Sequence, residues 1–142
     1  MKIIIKNKDA FFNYEILEKY KAGLILKGWE VKSIRENKVQ LKGAFITFKN
    51  DEAYITNMHI SQYMSVKGNE LEPRKLLLNK HEIRHIQDKK NRNSLAVIPL
   101  NLFWDNNYIK LEIALAKGKT KADKRHRILE KDVRKHLKKI TY

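Results

Sequence analysis

The sequence predicts a mainly β fold: a small antiparallel barrel with flanking short helices and a basic C-terminal tail. Three observations carry that expectation. Runs of β-branched and aromatic residues recur between short polar turns, two stretches have helical spacing, and composition changes sharply after Ala116. At 142 residues the chain has room for one domain plus a tail. Its 42% apolar content argues for a packed core and against wholesale disorder.

The elements follow in order. The opening Met1-Lys2-Ile3-Ile4-Ile5-Lys6 is basic, and its apolar run is far too short for a signal peptide. Residues 14–27 mix β-branched and aromatic side chains, and Leu24-Ile25-Leu26, between Gly23 and Gly28, reads as a buried strand. Val31 and Ile34 share one helical face, so a short helix is expected from Trp29 to near Asn37. Residues 44–49 and 53–56 flank Asn50-Asp51-Glu52 as a hairpin. Residues 62–73, with Gly68-Asn69 and Pro73, form a loop. A helix starts at Asn79, and residues 94–103 and 108–116 form a second hairpin around Trp104-Asp105-Asn106-Asn107. Strands at this spacing with two interspersed helices point to an OB-like barrel. Such barrels often bind nucleic acid, but a fold alone fixes no function.

Charge narrows the partner. Thirty-one Lys and Arg stand against 16 Asp and Glu, a net +15. A surplus of that size suits a polyanion, because each Lys or Arg placed on a phosphate releases a condensed counterion. A solvated basic surface and an anionic membrane are the alternatives. Residues 117–142 hold eleven Lys or Arg and three acidic residues, a net +8, more than half of the total. Within them Leu129, Val133, Leu137 and Ile140 share one helical face, with Ile128 the misfit. The expected division is therefore a barrel over residues 1–116 and a tail over 117–142, mobile when free and helical on its partner. There is no cysteine, which excludes disulfides, thiol nucleophiles and Cys-ligated zinc and fits a reducing cytoplasm. No segment approaches the ~18 apolar residues of a membrane span.

Three motifs resemble chemistry. His81-Glu82-Ile83-Arg84-His85 matches the H-E-x-x-H of zinc proteases. Capping explains it better: Asn79 lies three residues before Glu82, and Leu78 and Ile83 occupy hydrophobic-staple positions. Both histidines are expected to point away from Ile83 and Ile86, toward solvent. His59 has no nucleophile or paired carboxylate that the sequence places beside it. Gly118-Lys119-Thr120 resembles the end of a phosphate-binding loop, but position 113 is Ile where that loop needs Gly. No enzyme, metal or cofactor is expected. Arg74-Lys75 ahead of Leu76-Leu77-Leu78 offers phosphate contacts instead.

Taken in order, several blocks form a familiar set. They are Asn7-Lys8 with Ala10, Tyr20 with Ala22-Gly23, Gly28-Trp29-Glu30-Val31-Lys32-Ser33 and Asn57-Met58-His59-Ile60. Arg74-Lys75-Leu76-Leu77-Leu78-Asn79 and Ala114-Leu115-Ala116-Lys117-Gly118-Lys119, followed by Asp123-Lys124-Arg125, complete it. Across nearly its whole length the chain resembles the SmpB (SsrA-binding protein) family of bacterial trans-translation. The resemblance implies an OB-like barrel that binds the tRNA-like domain of transfer-messenger RNA and brings it to stalled ribosomes, where nascent chains are tagged. It implies RNA contacts at Glu30, Arg74, Lys75, Leu76 and Lys110, although an intramolecular salt bridge is the other role open to Glu30. It also implies a tail in the small-subunit decoding centre and mRNA channel, through Gly118, Lys119, Asp123, Lys124, Arg125 and Ile140. A monomer when free, without a membrane, is expected; a general OB-type RNA chaperone or ribosome-associated RNA-binding protein is the alternative.

Four positions depart from the family pattern. Asp9 stands where a basic residue is usual, Phe12 where His is frequent, Thr120 in place of a second Lys, and Ala122 where a stacking ring is common.

Overall fold

Two long strands, β8 (Ala96–Asp105) and β9 (Tyr108–Gly118), run antiparallel as the spine of the molecule. The computed structural model describes residues 2–64 and 68–119. Strand β1 (Lys2–Lys6) pairs with the outer edge of β8 and β2 (Tyr14–Leu24) with β9. From β2 the sheet continues through β7 (Arg74–Leu77), β5 (Glu52–Thr56) and β4 (Phe45–Lys49), giving the order β1-β8-β9-β2-β7-β5-β4. A two-stranded ladder of β3 (Val39–Gln40) and β6 (His59–Ile60) stands apart. The helices are α1 (Lys8–Asn13), α2 (Gly28–Arg35) and α3 (Lys80–Asn93).

The mainly β expectation is met, but the sheet does not close. It curls until β4 lies beside β8, yet no ladder joins the two strands. Alternation along the strands explains the curl. Inward-facing Ile46, Ala53, Ile55, Leu76, Ala22, Leu111, Ile113 and Leu102 fill one main core, sealed by Ile34 of α2 and Ile83 and Ile86 of α3. A smaller core of Ala10, Ile98, Leu100, Ala114 and Ala116 lies under α1, on the other face of the β8–β9 spine.

Both hairpins form where expected, with tighter turns. Asn50 and Asp51 both have positive φ (53° and 59°), as a two-residue type I′ connection requires, so Glu52 belongs to β5. Likewise Asp105 pairs with Tyr108 across Asn106-Asn107, which draws Trp104 and Asp105 into β8. The Leu24-Ile25-Leu26 expectation is corrected: β2 ends at Leu24 and Ile25 is 52% exposed. The ladder with β7 ends there, and the chain turns into α2. Five elements had no sequence forecast: β1, α1, β3, β6 and β7. Ile3-Ile4-Ile5 is a sheet strand, and residues 8–13 form α1.

Strand β9 continues through Lys117 and Gly118, opposite Glu15 and Tyr14. Lys119 then donates its N–H to the Asn13 carbonyl at 2.9 Å and its ammonium to the Phe11 carbonyl at 3.2 Å. The remaining tail positions, Asp123, Lys124, Arg125 and Ile140 with Thr120 and Ala122, lie outside the described residues, as does the expected helix.

Candidate nucleic-acid interface

Pairing register defines the outer face of the sheet. Ile3, Phe103, Lys110, Gly23 and Leu77 form one row across β1, β8, β9, β2 and β7. Because side chains alternate, Lys75 stands on the same outer face as Leu77, next to Tyr54 of β5. Leu76, between them, points inward and is 1% exposed. The Leu77 side chain lies over Gly23, where an added Cβ would sit 3.3 Å from it. Gly23 thereby lets an exposed leucine lie flat between two lysines.

Each of those lysines is held by a carboxylate. Lys75 Nζ lies 3.0 Å from Glu52 Oε1, and Lys110 Nζ lies 2.7 Å from Asp105 Oδ2. The Tyr54 hydroxyl donates to Glu52 at 2.6 Å, and this bond together with Lys75 lowers the Glu52 pKa. Lys110 lowers that of Asp105 through its hydrogen bond and charge. Lys21, in register with Glu112 on the same face, carries its ammonium 5.7 Å from the Phe103 ring centroid. The surface is a set of ammonium groups at fixed spacing, interleaved with apolar and aromatic side chains.

Glu30 and Arg74 sit below this surface. Their side chains are each 2% exposed and meet at 2.5 Å, Arg74 Nε donating to Glu30 Oε2. The other Glu30 oxygen accepts the Lys27 backbone N–H at 2.8 Å, which caps α2. Arg74 donates further to the carbonyls of Met58 (2.5 Å), Asn69 (3.2 Å) and Glu70 (3.2 Å). One ion pair thus joins α2, β7, the turn before β6 and the loop before β7. A buried charge pair is sustainable only when its remaining donors and acceptors are satisfied in this way. Ser33 adds a 2.5 Å bond to the Ser61 carbonyl, and Gly68 packs so closely on Trp29 that an added Cβ would sit 2.4 Å from the indole. Three of the blocks quoted above, those beginning at Gly28, Asn57 and Arg74, therefore converge on one internal node.

The block at Asn7 is likewise structural. Asn7 donates its backbone N–H to Leu100 (2.7 Å) and its side-chain amide to Pro99 (2.9 Å), pinning the end of β1 to β8. Ala10 is small because α1 presses it against Ile98 and Leu100.

The H-E-x-x-H motif resolves as capping. Asn79 Oδ1 accepts the Glu82 N–H at 2.8 Å, and Glu82 accepts the Asn79 N–H at 3.4 Å. His81 is exposed. His85 only partly matches its expected direction: half-exposed, it reaches across to β2, 3.5 Å from Glu18 and edge-on to Tyr20. Glu18 also accepts from Lys89 and from Tyr20, and these bonds hold its carboxyl at about 2. Among the described residues no group of three or more His, Cys, Asp or Glu is placed to hold a metal. His59 pairs with Glu70 at 2.6 Å, beside the Arg74 node.

Comparison with known proteins decides the family. The SmpB protein family model matches residues 4–142. The chain belongs to the SmpB family. An SsrA-binding protein of Mesomycoplasma hyopneumoniae is 49% identical over 140 residues, covering 99% of this chain and 97% of the relative. That of Mycoplasmopsis pulmonis is 46% identical over 140 residues, covering 98% and 97%. Similarity extends to Persephonella marina, at 44% over 142 residues, covering 98% and 93%. A solved structure described as tmRNA-SmpB on a journey to the center of the bacterial ribosome superposes with a TM-score of 0.69 at 39% identity, covering 82% of this chain and 85% of that one.

Of the five positions before residue 117 that the SmpB resemblance nominates as RNA contacts, Lys75 and Lys110 lie on the outer face, while Glu30, Arg74 and Leu76 are interior. Sequence reasoning missed Glu52, Asp105, Tyr54 and Leu77. Strand alternation through Lys75-Leu76-Leu77 was the signal that places Leu77 outward, and it needed β7 to be recognised as a strand. No helix among the described residues is long and apolar enough to cross a membrane.

Proposed function

We propose that this protein binds the tRNA-like domain of transfer-messenger RNA and delivers it to stalled ribosomes in the cytoplasm for trans-translation, ribosome rescue and nascent-chain tagging. The observation that carries this reading is full-length membership in the SmpB family, whose curated relatives are SsrA-binding proteins. The outer sheet face supports it physically, since fixed ammonium groups interleaved with apolar surface suit a folded RNA. The scaffold is an OB-like barrel left open between β4 and β8.

Lys75 and Lys110 contact RNA phosphate on this reading, while Glu30, Arg74 and Leu76 act from beneath, fixing the strand and helix that carry the surface. Residues 1–116 recognise the RNA, and residues 117–142 serve the small-subunit decoding centre and mRNA channel through Gly118, Lys119, Asp123, Lys124, Arg125 and Ile140. The concentration of charge after Ala116 supports that division, because a channel walled by phosphate holds a polycation. No catalytic step is assigned to the protein.

Gel-shift competition at moderate salt is the test. A tRNA-like tmRNA fragment is expected to outcompete bulk RNA. Equal affinity for both overturns the proposal in favour of a general RNA chaperone.

A further inference from the structure

At the tip of the β8–β9 hairpin the outer face ends in an aromatic side chain with little cover. Tyr108 is 72% exposed, more than any other aromatic residue among the exposed large hydrophobics. It borders a groove of about 150 Å³ lined by Leu24, Leu26, Val31, Asn107, Tyr108 and Ile109. That volume is well below the several hundred Å³ of an enclosed small-molecule site. The shape is a shallow apolar shelf with one polar side chain and a ring at its rim.

Cations stand on two sides of the shelf. Lys110 lies two residues beyond Tyr108 on β9 and so projects on the same side of the sheet. Its partner Asp105, in register with Tyr108, is the carboxylate nearest in the strand pairing, and Lys110 offsets its charge. On the α2 side, Arg35 places its guanidinium 5.8 Å from the Trp104 ring centroid, and Trp104 is the register partner of Ile109. A chain of phosphates crossing this end of the molecule would meet positive charge before and after the shelf, with an apolar gap between.

We propose that Tyr108 is a stacking platform for one unpaired nucleobase of the RNA bound to the outer face. The inference rests on the RNA-binding function above and assigns the groove to a single-stranded element of that RNA. An unpaired base presents an apolar face to the tyrosine ring and the Leu24–Val31 shelf, Asn107 can hydrogen-bond its edge, and its flanking phosphates fall to Lys110 and Arg35. A duplex fits poorly, because its bases are stacked on one another and offer no free face.

The full-length protein, as wild type, Tyr108→Ala, Tyr108→Phe and Tyr108→Trp, is titrated with a tRNA-like tmRNA fragment over a range of salt. The side chain is largely outside the core, so the variants are expected to fold, which circular dichroism checks. The Ala variant is expected to lose affinity roughly tenfold. The slope of log K against log salt should stay as in wild type, because no phosphate contact is removed. Phe and Trp are expected to retain binding. Chemical probing of the fragment should show one base protected by wild type and exposed with the Ala variant. Affinity of the Ala variant within twofold of wild type overturns the inference, as does a loss carried entirely by a reduced salt slope. Unchanged RNA affinity accompanied by weakened ribosome binding or altered self-association would assign the shelf to a protein partner or a second copy and overturn it too. If wild type itself does not prefer the tmRNA fragment, the function proposed above fails; a preference retained by both wild type and Tyr108→Ala removes the platform alone.

Discussion

Replacing Glu30 by Gln separates a buried scaffold residue from an RNA contact. Both carboxylate oxygens of Glu30 accept, one from Arg74 Nε and one from the Lys27 N–H. An amide of the same shape has one oxygen and one NH₂, so one donor must face another donor in a site where the side chains are 2% exposed. The guanidinium also loses its carboxylate partner, the only one it has among the described residues. Removing one member of a buried ion pair costs about 3–5 kcal/mol. For a domain of this size that corresponds to a fall in Tm on the order of 10 °C. Thermal melts and urea titrations of the full-length protein read the loss directly. RNA titrations well below the melt should then give an unchanged salt slope, and any loss of tmRNA affinity should accompany the loss of stability rather than occur without it. A Glu30→Gln protein with wild-type stability and a large loss of RNA affinity would refute the reasoning, because the carboxylate would then be acting on the RNA itself.

Lys75→Ala and Lys110→Ala should each weaken RNA binding across sequences and reduce the salt slope by roughly one unit. Stability should change by less than about 1 kcal/mol, since each removes only a surface ion pair; fluorescence titration and melts give both numbers. Truncation after Lys119 should leave a folded protein that still binds tmRNA yet fails in tagging on stalled ribosomes. Truncation after Ala116 should in addition lose roughly 1–3 kcal/mol in urea unfolding, because it removes the Lys117 and Gly118 pairings with β2 and both Lys119 hydrogen bonds. Glu18 predicts an acid limb: its folded carboxyl, at about 2, lies below the usual 4.5. Its stabilisation is therefore present above about pH 4.5 and lost as pH falls toward 2. Screening at this third-exposed site limits it to roughly 1 kcal/mol; Glu18→Gln should flatten that part of a stability–pH curve, and an unchanged curve would remove Glu18 from the account.

What the sequence made legible follows from how local each signal is. The hairpin at Asn50-Asp51 and the capping box at Asn79 are written within four residues, and both formed, the hairpin with a turn one residue shorter than the sequence suggests. Strand β1 was not legible, because Ile3-Ile4-Ile5 has no alternation and its partner β8 lies about a hundred residues away. Sheet closure depends on how far β4 curls toward β8, a sum of twists that no short motif records. The site behaved in the same way. Lys75 and Lys110 were nominated from sequence resemblance, and register alone shows that they share a face. For Glu30 the sequence left an intramolecular salt bridge open, as the structure bears out, but nothing in it names Arg74 as the partner. Only their mutual burial, across 44 residues of chain, exposes them as a pair.

That pairing bears on how a protein with so much positive charge can discriminate among RNAs. Of the net +15, only +7 belongs to residues 1–116, and on the outer face Lys75 and Lys110 each carry a carboxylate partner. Pairing lowers the field that any passing polyanion feels, and it also fixes each ammonium in place, so less side-chain entropy is lost when the right phosphate arrives. A flexible, unpaired lysine surface would bind arbitrary RNA as readily as a folded one. The rigidity required to do otherwise comes from below: the Glu30–Arg74 node locks α2 to β7, and Gly23 with Leu77 sets the spacing between the two lysine strands. On the proposed function, selectivity on this face is a property of spacing held by buried groups. It should be lost when the node is loosened even though every exposed cation remains, and competition between tmRNA and bulk RNA on Glu30→Gln at a temperature where it is still folded measures that loss.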